Sequence, residues 1–348
     1  MQKNSSGVLY RKYRPNDWGD VIGQDHIVNV LENSIKLKKI SHAYLFSGSR
    51  GTGKTSIARI FANALGISPN DIYEIDAASN RGIDDIREIR DGVNVLPLES
   101  THKVYIIDEV HMLTKEAFNA ILKTLEEPPA HAIFILATTE TEKIPETVVS
   151  RCQVFSFKKP NREILKTLII KIAKKEGYSL ENGVADLISL LGDGSFRDTL
   201  GILQKVLSTN EDKKVSIKEV EDITGAPKGS IVNDFILAIA NKEKEKALNT
   251  ISLAREGNIS IKTFTALILE KVRIVLLLKN IIDKKSIDRL KEELSEDDFK
   301  IIQSISSDSK NRINSNALIE LLKAYDAVGK AYIESLPLEM AVIGICND

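Results

Sequence analysis

The octapeptide Gly48-Ser49-Arg50-Gly51-Thr52-Gly53-Lys54-Thr55 fits the phosphate-loop pattern G-x-x-x-x-G-K-[ST] at every specified position. Such a loop constrains its flanks, because it needs a buried strand before it and a helix start after it. Ala43-Tyr44-Leu45-Phe46 reads as the strand. Ser56 to Leu65, with apolar residues at Ile57, Ile60, Phe61 and Leu65, reads as the helix, closed by Gly66. The glycines let the backbone curl so that successive N–H groups face one point, and the helix start adds its positive dipole end. Lys54 is then expected to reach the β- and γ-phosphates of a nucleotide, and the Thr55 hydroxyl to hold Mg²⁺.

A second signal lies about fifty residues on. Lys103-Val104-Tyr105-Ile106-Ile107-Asp108-Glu109 is an apolar run ending in two carboxylates, which is costly unless a cation or water sits at that end. Asp108 would complete the Mg²⁺ site and Glu109 would orient and polarise the attacking water. Ile72–Asp76, Ala132–Ala137 and Val154–Phe157 read as further strands, alternating with helical segments over His26–Leu37 and Ala117–Leu125, and with one after Gly82. The alternation predicts an α/β domain with a parallel sheet covered on both faces, and ligands at the C-terminal strand ends. Thr139, at the tip of the run beginning at Ala132, reads on its own as a strand-end hydroxyl satisfying local backbone.

From Asn161 onward the pattern turns wholly helical. Ser195-Phe196-Arg197-Asp198 reads as a capping box opening a helix, with Arg197 in its first turn. Residues 230–348 read as an all-α bundle with helices near Ile231–Ala240, Glu243–Arg255, Ile261–Asn280, Leu290–Ile305 and Asn316–Ile333. The chain of 348 residues is expected to divide at about 160 and 225 into three domains. Two cysteines, Cys152 and Cys346, exclude a disulfide framework and a four-cysteine zinc site. The N-terminus lacks the apolar core of a secretory signal and no run is long enough for a membrane span, so a cytoplasmic location without membrane partners is expected. Net charge is −1, but residues 1–66 hold ten Lys/Arg against four Asp/Glu, a surplus that reads as a solvated face around the loop.

The chain resembles the gamma/tau clamp-loader ATPase subunits of bacterial DNA polymerase III, within the AAA+ class. The resemblance rests on Arg11-Lys12-Tyr13-Arg14-Pro15, Val21-Ile22-Gly23-Gln24, His42–Gly48, Ile75–Ser79, Asp108–Leu113, Leu122–Pro129, Leu136–Thr139, Ser150-Arg151-Cys152 and Gly194–Asp198. It implies a phosphate-loop parallel-sheet domain (1–160), a helical lid domain (161–225) and a helical collar or oligomerisation domain (226–348). It also implies that Thr139 is the first sensor and Arg197 the second, contacting the γ-phosphate from the lid. Arg151 would be an arginine finger acting on the neighbouring subunit's ATP, and Tyr13, Pro15, Val21 and Ile22 would line the adenine pocket. The implied partners are delta-like and delta-prime-like subunits, copies of the chain itself, a sliding clamp and primer-template DNA. Arg81, Arg87 and Arg90 are the candidate DNA contacts.

Two departures from the family pattern bear on these expectations. Members usually carry a four-cysteine zinc module after the phosphate-loop helix, whereas here Gly66 passes through Ile67-Ser68-Pro69-Asn70 straight into the next strand. ATP and Mg²⁺ are therefore expected, and zinc is not. The chain also reads as a gamma-like short form without tau-like extensions. No polymerase domain is legible, so polymerase activity is expected of the complex and not of this polypeptide. A delta-prime-like stator without ATPase activity is one alternative, disfavoured by the intact loop and Asp108-Glu109. A branch-migration helicase is another, disfavoured by the helical C-terminal region.

Overall fold

The structure is a computed structural model that describes residues 7–79, 91–210, 212–280, 283, 287, 290–291, 293–308, 311 and 313–347. It divides into two compact units, Met1–Leu165 with Gly192–Gly201, and Lys166–Leu191 with Ile202–Asp348.

In the first unit five strands form one sheet: β1 (Ala43–Ser47), β2 (Ile72–Asp76), β3 (Lys103–Asp108), β4 (Ala132–Thr138) and β5 (Gln153–Ser156). Their order is β2-β3-β4-β1-β5 and every pairing is parallel. The central strands read as unbroken apolar runs because both of their faces are covered. Alternate residues serve opposite layers. Leu45, Ile107 and Leu136 pack with Phe118, Ile121 and Leu125 of the helix Lys115–Glu126. Phe46, Ile106 and Ile135 pack with Leu31 of the helix Asp25–Lys36 and with Ile57 and Phe61 of the helix Lys54–Ala64. Tyr73, Tyr105 and Phe134 stack across β2, β3 and β4 with ring centroids 5.1 and 5.3 Å apart. Since β1 lies between β4 and β5, and β3 is next to β4, the C-terminal ends of β1, β3 and β4 bring the phosphate loop, Asp108 and Thr138 to one edge.

The second unit is mostly helical. Its largest core joins the helices Gly229–Ala240, Lys244–Glu256, Ile261–Asn280, Glu296–Ser307, Ser315–Ala327 and Leu336–Asn347. Within that core Phe235 and Phe264 meet edge to face at 5.7 Å.

Several sequence expectations are corrected here. The region after Asn161 is not wholly helical, because Ser179–Leu180 and Lys214–Val215 pair as a short parallel ladder. The expected helix Leu290–Ile305 is replaced by Glu296–Ser307, since Ser295 caps it by accepting the Asp298 N–H. Ser315–Ala327 stops short of Ile333: Val328 is already extended, and Gly329 takes φ 87°. A last helix, Leu336–Asn347, was not expected as a separate element. At Ser195 half of the capping box forms, the hydroxyl accepting the Asp198 N–H at 3.2 Å. The reciprocal box is at Ser216 and Glu219. No helix among the described residues is long and apolar enough to cross a membrane.

Candidate active site

The phosphate loop runs from the end of β1 to the helix Lys54–Ala64, with Gly48, Gly51 and Gly53 at φ 147°, 74° and 104°. A side chain at Gly48 would strike the Phe157 carbonyl at 2.7 Å, and one at Gly51 would meet the Ser195 hydroxyl at 2.1 Å. The loop is thus free to curl and is closely approached by its surroundings. Thr52 is buried and its hydroxyl donates to the Ser49 carbonyl at 2.9 Å, holding the curl from within. Arg50 points to solvent.

Two features of the loop fit a phosphate. Lys54, 6% exposed, donates from Nζ to the carbonyls of Gly48 and Ser49 at 2.7 and 3.1 Å, folding a cation over the loop. Burial lowers its pKa, while Glu109 and Asp108 raise it and Arg197 lowers it. The Ser49 hydroxyl is buried and, among the described residues, has no hydrogen-bond partner. A bound phosphate oxygen supplies what both groups lack.

The oxygen donors converge beside the loop. Thr55 Oγ1 donates to Asp108 Oδ2 at 2.7 Å, and the Glu109 N–H donates to Asp108 Oδ1 at 3.0 Å. These two hard oxygen ligands, side by side, are the donor set that Mg²⁺ takes in such sites. Glu109 adopts left-handed backbone, φ 49°, a conformation that costs energy for a non-glycine residue and sits where β3 turns abruptly. Its Oε2 accepts the Thr139 hydroxyl at 3.0 Å. Thr139 therefore does not satisfy local backbone with this bond, as the isolated reading of a strand-end hydroxyl had it; it reaches thirty residues back to the β3 tip.

Arg197 is exposed, with its guanidinium carbon 6.0 Å from the centre of the Tyr10 ring. The preceding Phe196 N–H donates to the Gly51 carbonyl at 3.0 Å, so the turn that carries Arg197 is fastened to the loop itself. The structure thus brings Lys54, Thr55, Asp108, Glu109, Thr139 and Arg197 to one edge of the sheet. Arg151 belongs to a different group. Its guanidinium donates to Glu126 Oε1 at 2.8 Å and to the Thr147 carbonyl at 2.6 Å. Tyr13, Pro15, Val21 and Ile22 are half-buried, and Val21 packs on the Phe46 layer. Arg81, Arg87 and Arg90 lie outside the described residues.

Three residues near the loop went unassigned in the sequence. Arg14 donates from Nε to Ser56 Oγ at 3.0 Å, and burial together with Arg59 holds its pKa below the usual value. Gln24, 1% exposed, donates to the Lys158 carbonyl at 2.7 Å and accepts the Lys158 N–H at 3.2 Å. His111 lies between Glu109 and Glu140. The contacts of Arg14 with Ser56, Gln24 with Lys158 and His111 with Glu140 join residues far apart in the chain, so periodicity and spacing carry no trace of them.

A family model described as "DNA polymerase III, delta subunit" matches residues 23–76 and 66–161. The solved Thermotoga maritima RuvB Holliday junction branch migration motor superposes with a TM-score of 0.52 at 18% identity, covering 81% of this chain and 99% of that one, a likeness of fold. DNA polymerase III subunit tau of Bacillus subtilis (strain 168) is 40% identical over 377 residues, covering 98% of this chain and 63% of the relative. The chain thus spans less than two thirds of that curated relative, and 55% of the gamma/tau subunit of Mycobacterium bovis. DNA polymerase III subunit gamma of Buchnera aphidicola subsp. Baizongia pistaciae is 40% identical over 267 residues, 71% of each chain. With that identity over most of a curated gamma subunit, the chain belongs to the DNA polymerase III gamma/tau subunit family.

Proposed function

We propose that the chain is the ATPase motor subunit of a replicative clamp loader, using ATP binding and hydrolysis to place a sliding clamp on primed DNA. One observation carries the catalytic part: the Thr55–Asp108 pair lies beside Glu109, whose carboxylate is held by Thr139. In this reading Lys54 and the loop N–H groups bind the β- and γ-phosphates. Thr55 and Asp108 hold Mg²⁺, which neutralises phosphate charge when bound. Glu109 orients and polarises the water that attacks the γ-phosphorus, ADP leaves, and Thr139 keeps the carboxylate aimed. Arg197 meets the γ-phosphate from the same chain, and Tyr13, Pro15, Val21 and Ile22 enclose the adenine. A stator role without hydrolysis leaves this set without a use.

Arg151 acts in trans in this account, stabilising charge on the phosphoryl group of a neighbouring subunit's ATP. Residues 1–160 form the nucleotide domain, 161–225 the lid and 226–348 the collar through which copies of the chain and delta-like and delta-prime-like subunits assemble. The exposed Ile319, Leu322 and Met340 on the last two helices support a collar that meets other subunits. Arg81, Arg87 and Arg90 contact DNA phosphates, giving sequence-independent and salt-dependent binding. The protein works in the cytoplasm and holds no zinc. The direct linker at Ile67–Asn70, with no cysteine between the phosphate-loop helix and the next strand, supports the absence of zinc. Stoichiometric zinc in purified protein would contradict it.

The test is ATP hydrolysis by the assembled complex, with and without clamp and primed DNA. The expected result is hydrolysis stimulated by both and abolished by Lys54→Ala. A complex whose hydrolysis is indifferent to Lys54→Ala would contradict the reading.

A further inference from the structure

His111 follows Asp108 by three residues, in the short turn Val110–Met112, and phosphate binding gives it no task. Its side chain is 5% exposed, and the ring has a polar atom at each end. Nε2 lies 3.1 Å from Glu140 Oε1. The hydrogen bond from Lys143 holds Glu140 below the usual carboxylate range, so Glu140 is ionised and only accepts. The proton between the two therefore sits on Nε2. Nδ1 faces the other way and accepts the Thr138 hydroxyl at 3.0 Å, so the ring is held at both ends and its edge packs 3.5 Å from Glu109 Oε2 as a wall, without a hydrogen bond to it. That same Glu109 oxygen accepts the Thr139 hydroxyl. Thr138 Oγ1 in turn accepts the Glu140 N–H at 3.0 Å, which ties the brace to the tip of β4.

A continuous line thus runs from the surface to the carboxylate that faces the nucleotide. Lys143 holds Glu140 at 2.7 Å, Glu140 holds the ring, and the ring lies against Glu109. Glutamate has three rotatable side-chain bonds, and a strained backbone at φ 49° fixes only where they begin. Without contacts along its length the carboxylate swings, and misplacing a reacting group by about 1 Å costs on the order of 100-fold in rate. Thr139 donates to Oε2 and the fixed imidazole walls that side of the carboxylate, which leaves Oε1 to face the water.

We propose that His111 is a positioning residue for hydrolysis: braced by Glu140 and Lys143, its imidazole sets the rotamer of Glu109. The proposal rests on the reading of this chain as an ATPase. It makes a specific demand, that rate and affinity separate.

The test uses the assembled complex carrying His111→Leu, His111→Asn or Glu140→Gln. Affinity for a fluorescent ATP analogue, single-turnover hydrolysis and melting temperature are measured in each. His111→Leu is expected to slow single-turnover hydrolysis roughly 10- to 100-fold with nucleotide affinity unchanged. His111→Asn keeps a polar group near the Nδ1 position and restores most of the rate. Glu140→Gln weakens the brace from its exposed end, so it gives a smaller loss of the same kind and serves if the Leu variant does not fold. Wild-type rates in His111→Leu and Glu140→Gln would overturn the inference alone. So would a parallel fall of affinity, rate and melting temperature, which marks a merely structural histidine. A wild-type complex that hydrolyses no ATP would overturn the ATPase reading and this inference with it.

Discussion

A methyl group at position 51 would lie 2.1 Å from Ser195 Oγ on backbone already at φ 74°. Gly51→Ala is therefore expected to disturb the loop and the turn carrying Arg197 together, weakening nucleotide binding by about tenfold or more, as equilibrium titration would read. Glu109→Gln keeps shape and removes charge. It is expected to retain nucleotide affinity while single-turnover hydrolysis falls by about 10²- to 10⁴-fold. At this scale the sequence was informative where chemistry is local. Lys54 and Thr55 are fixed by loop spacing, and Asp108 and Glu109 by an apolar strand that ends in charge. Thr139 and Arg197 stood out only through family likeness, because a hydroxyl at a strand tip and an arginine in a helix's first turn each have an ordinary explanation. Arg14 and His111 were illegible as site residues, since their meaning lies in contacts with Ser56 and Glu140.

Among the elements, the short linker before β2 has its own device. Asp71 is fully buried and accepts the N–H groups of Leu98, Glu99 and Ser100 at 2.6, 2.9 and 2.8 Å. Burial alone would raise its pKa, but these donors outweigh it and bring the carboxyl from 3.8 to about 2. A depressed carboxylate stabilises the fold above its unfolded pKa and loses that contribution as pH falls through the folded value. Stability from Asp71 is thus complete above about pH 4 and fades toward about pH 2. Denaturant titrations from pH 6 down to 2.5 should show Asp71→Asn less stable than wild type at pH 6, with the gap narrowing in acid. A constant gap would argue against the carboxylate's role. Strands were legible because sheet burial writes itself as unbroken apolar runs. Helix ends were less so: Ser295 and Gly329 set theirs by a hydrogen bond and a positive φ that periodicity does not weigh.

At the scale of the whole molecule, the second unit carries a buried charge. Lys271 donates to Asp298 at 2.6 Å and to Asn233 at 2.8 Å, joining three helices of the bundle. Burial lowers the lysine's pKa, and Asp298 and Glu221 raise it. Asp298→Ala strands the ammonium and is expected to cost about 3–5 kcal/mol by denaturant titration, whereas Lys271→Met with Asp298→Leu should cost far less. The bundle was legible as helical, but not this polar knot inside it. Nor does one chain reveal what it lacks, since Arg151 pairs with Glu126 and not with the phosphate-loop group. In the proposed function, hydrolysis occurs in a site completed by a neighbour. An arginine finger in trans contributes about 10³- to 10⁵-fold in rate, so Glu109→Gln and Arg151→Ala complexes should each be nearly inactive. The most direct measurement is ATP hydrolysis by complexes assembled from a mixture of the two variants, where an intact Glu109 meets a neighbour's intact Arg151. Activity well above that of either variant alone is expected; a mixture no more active than its parts, or a fully active Arg151→Ala complex, would rule out an arginine supplied by the neighbour.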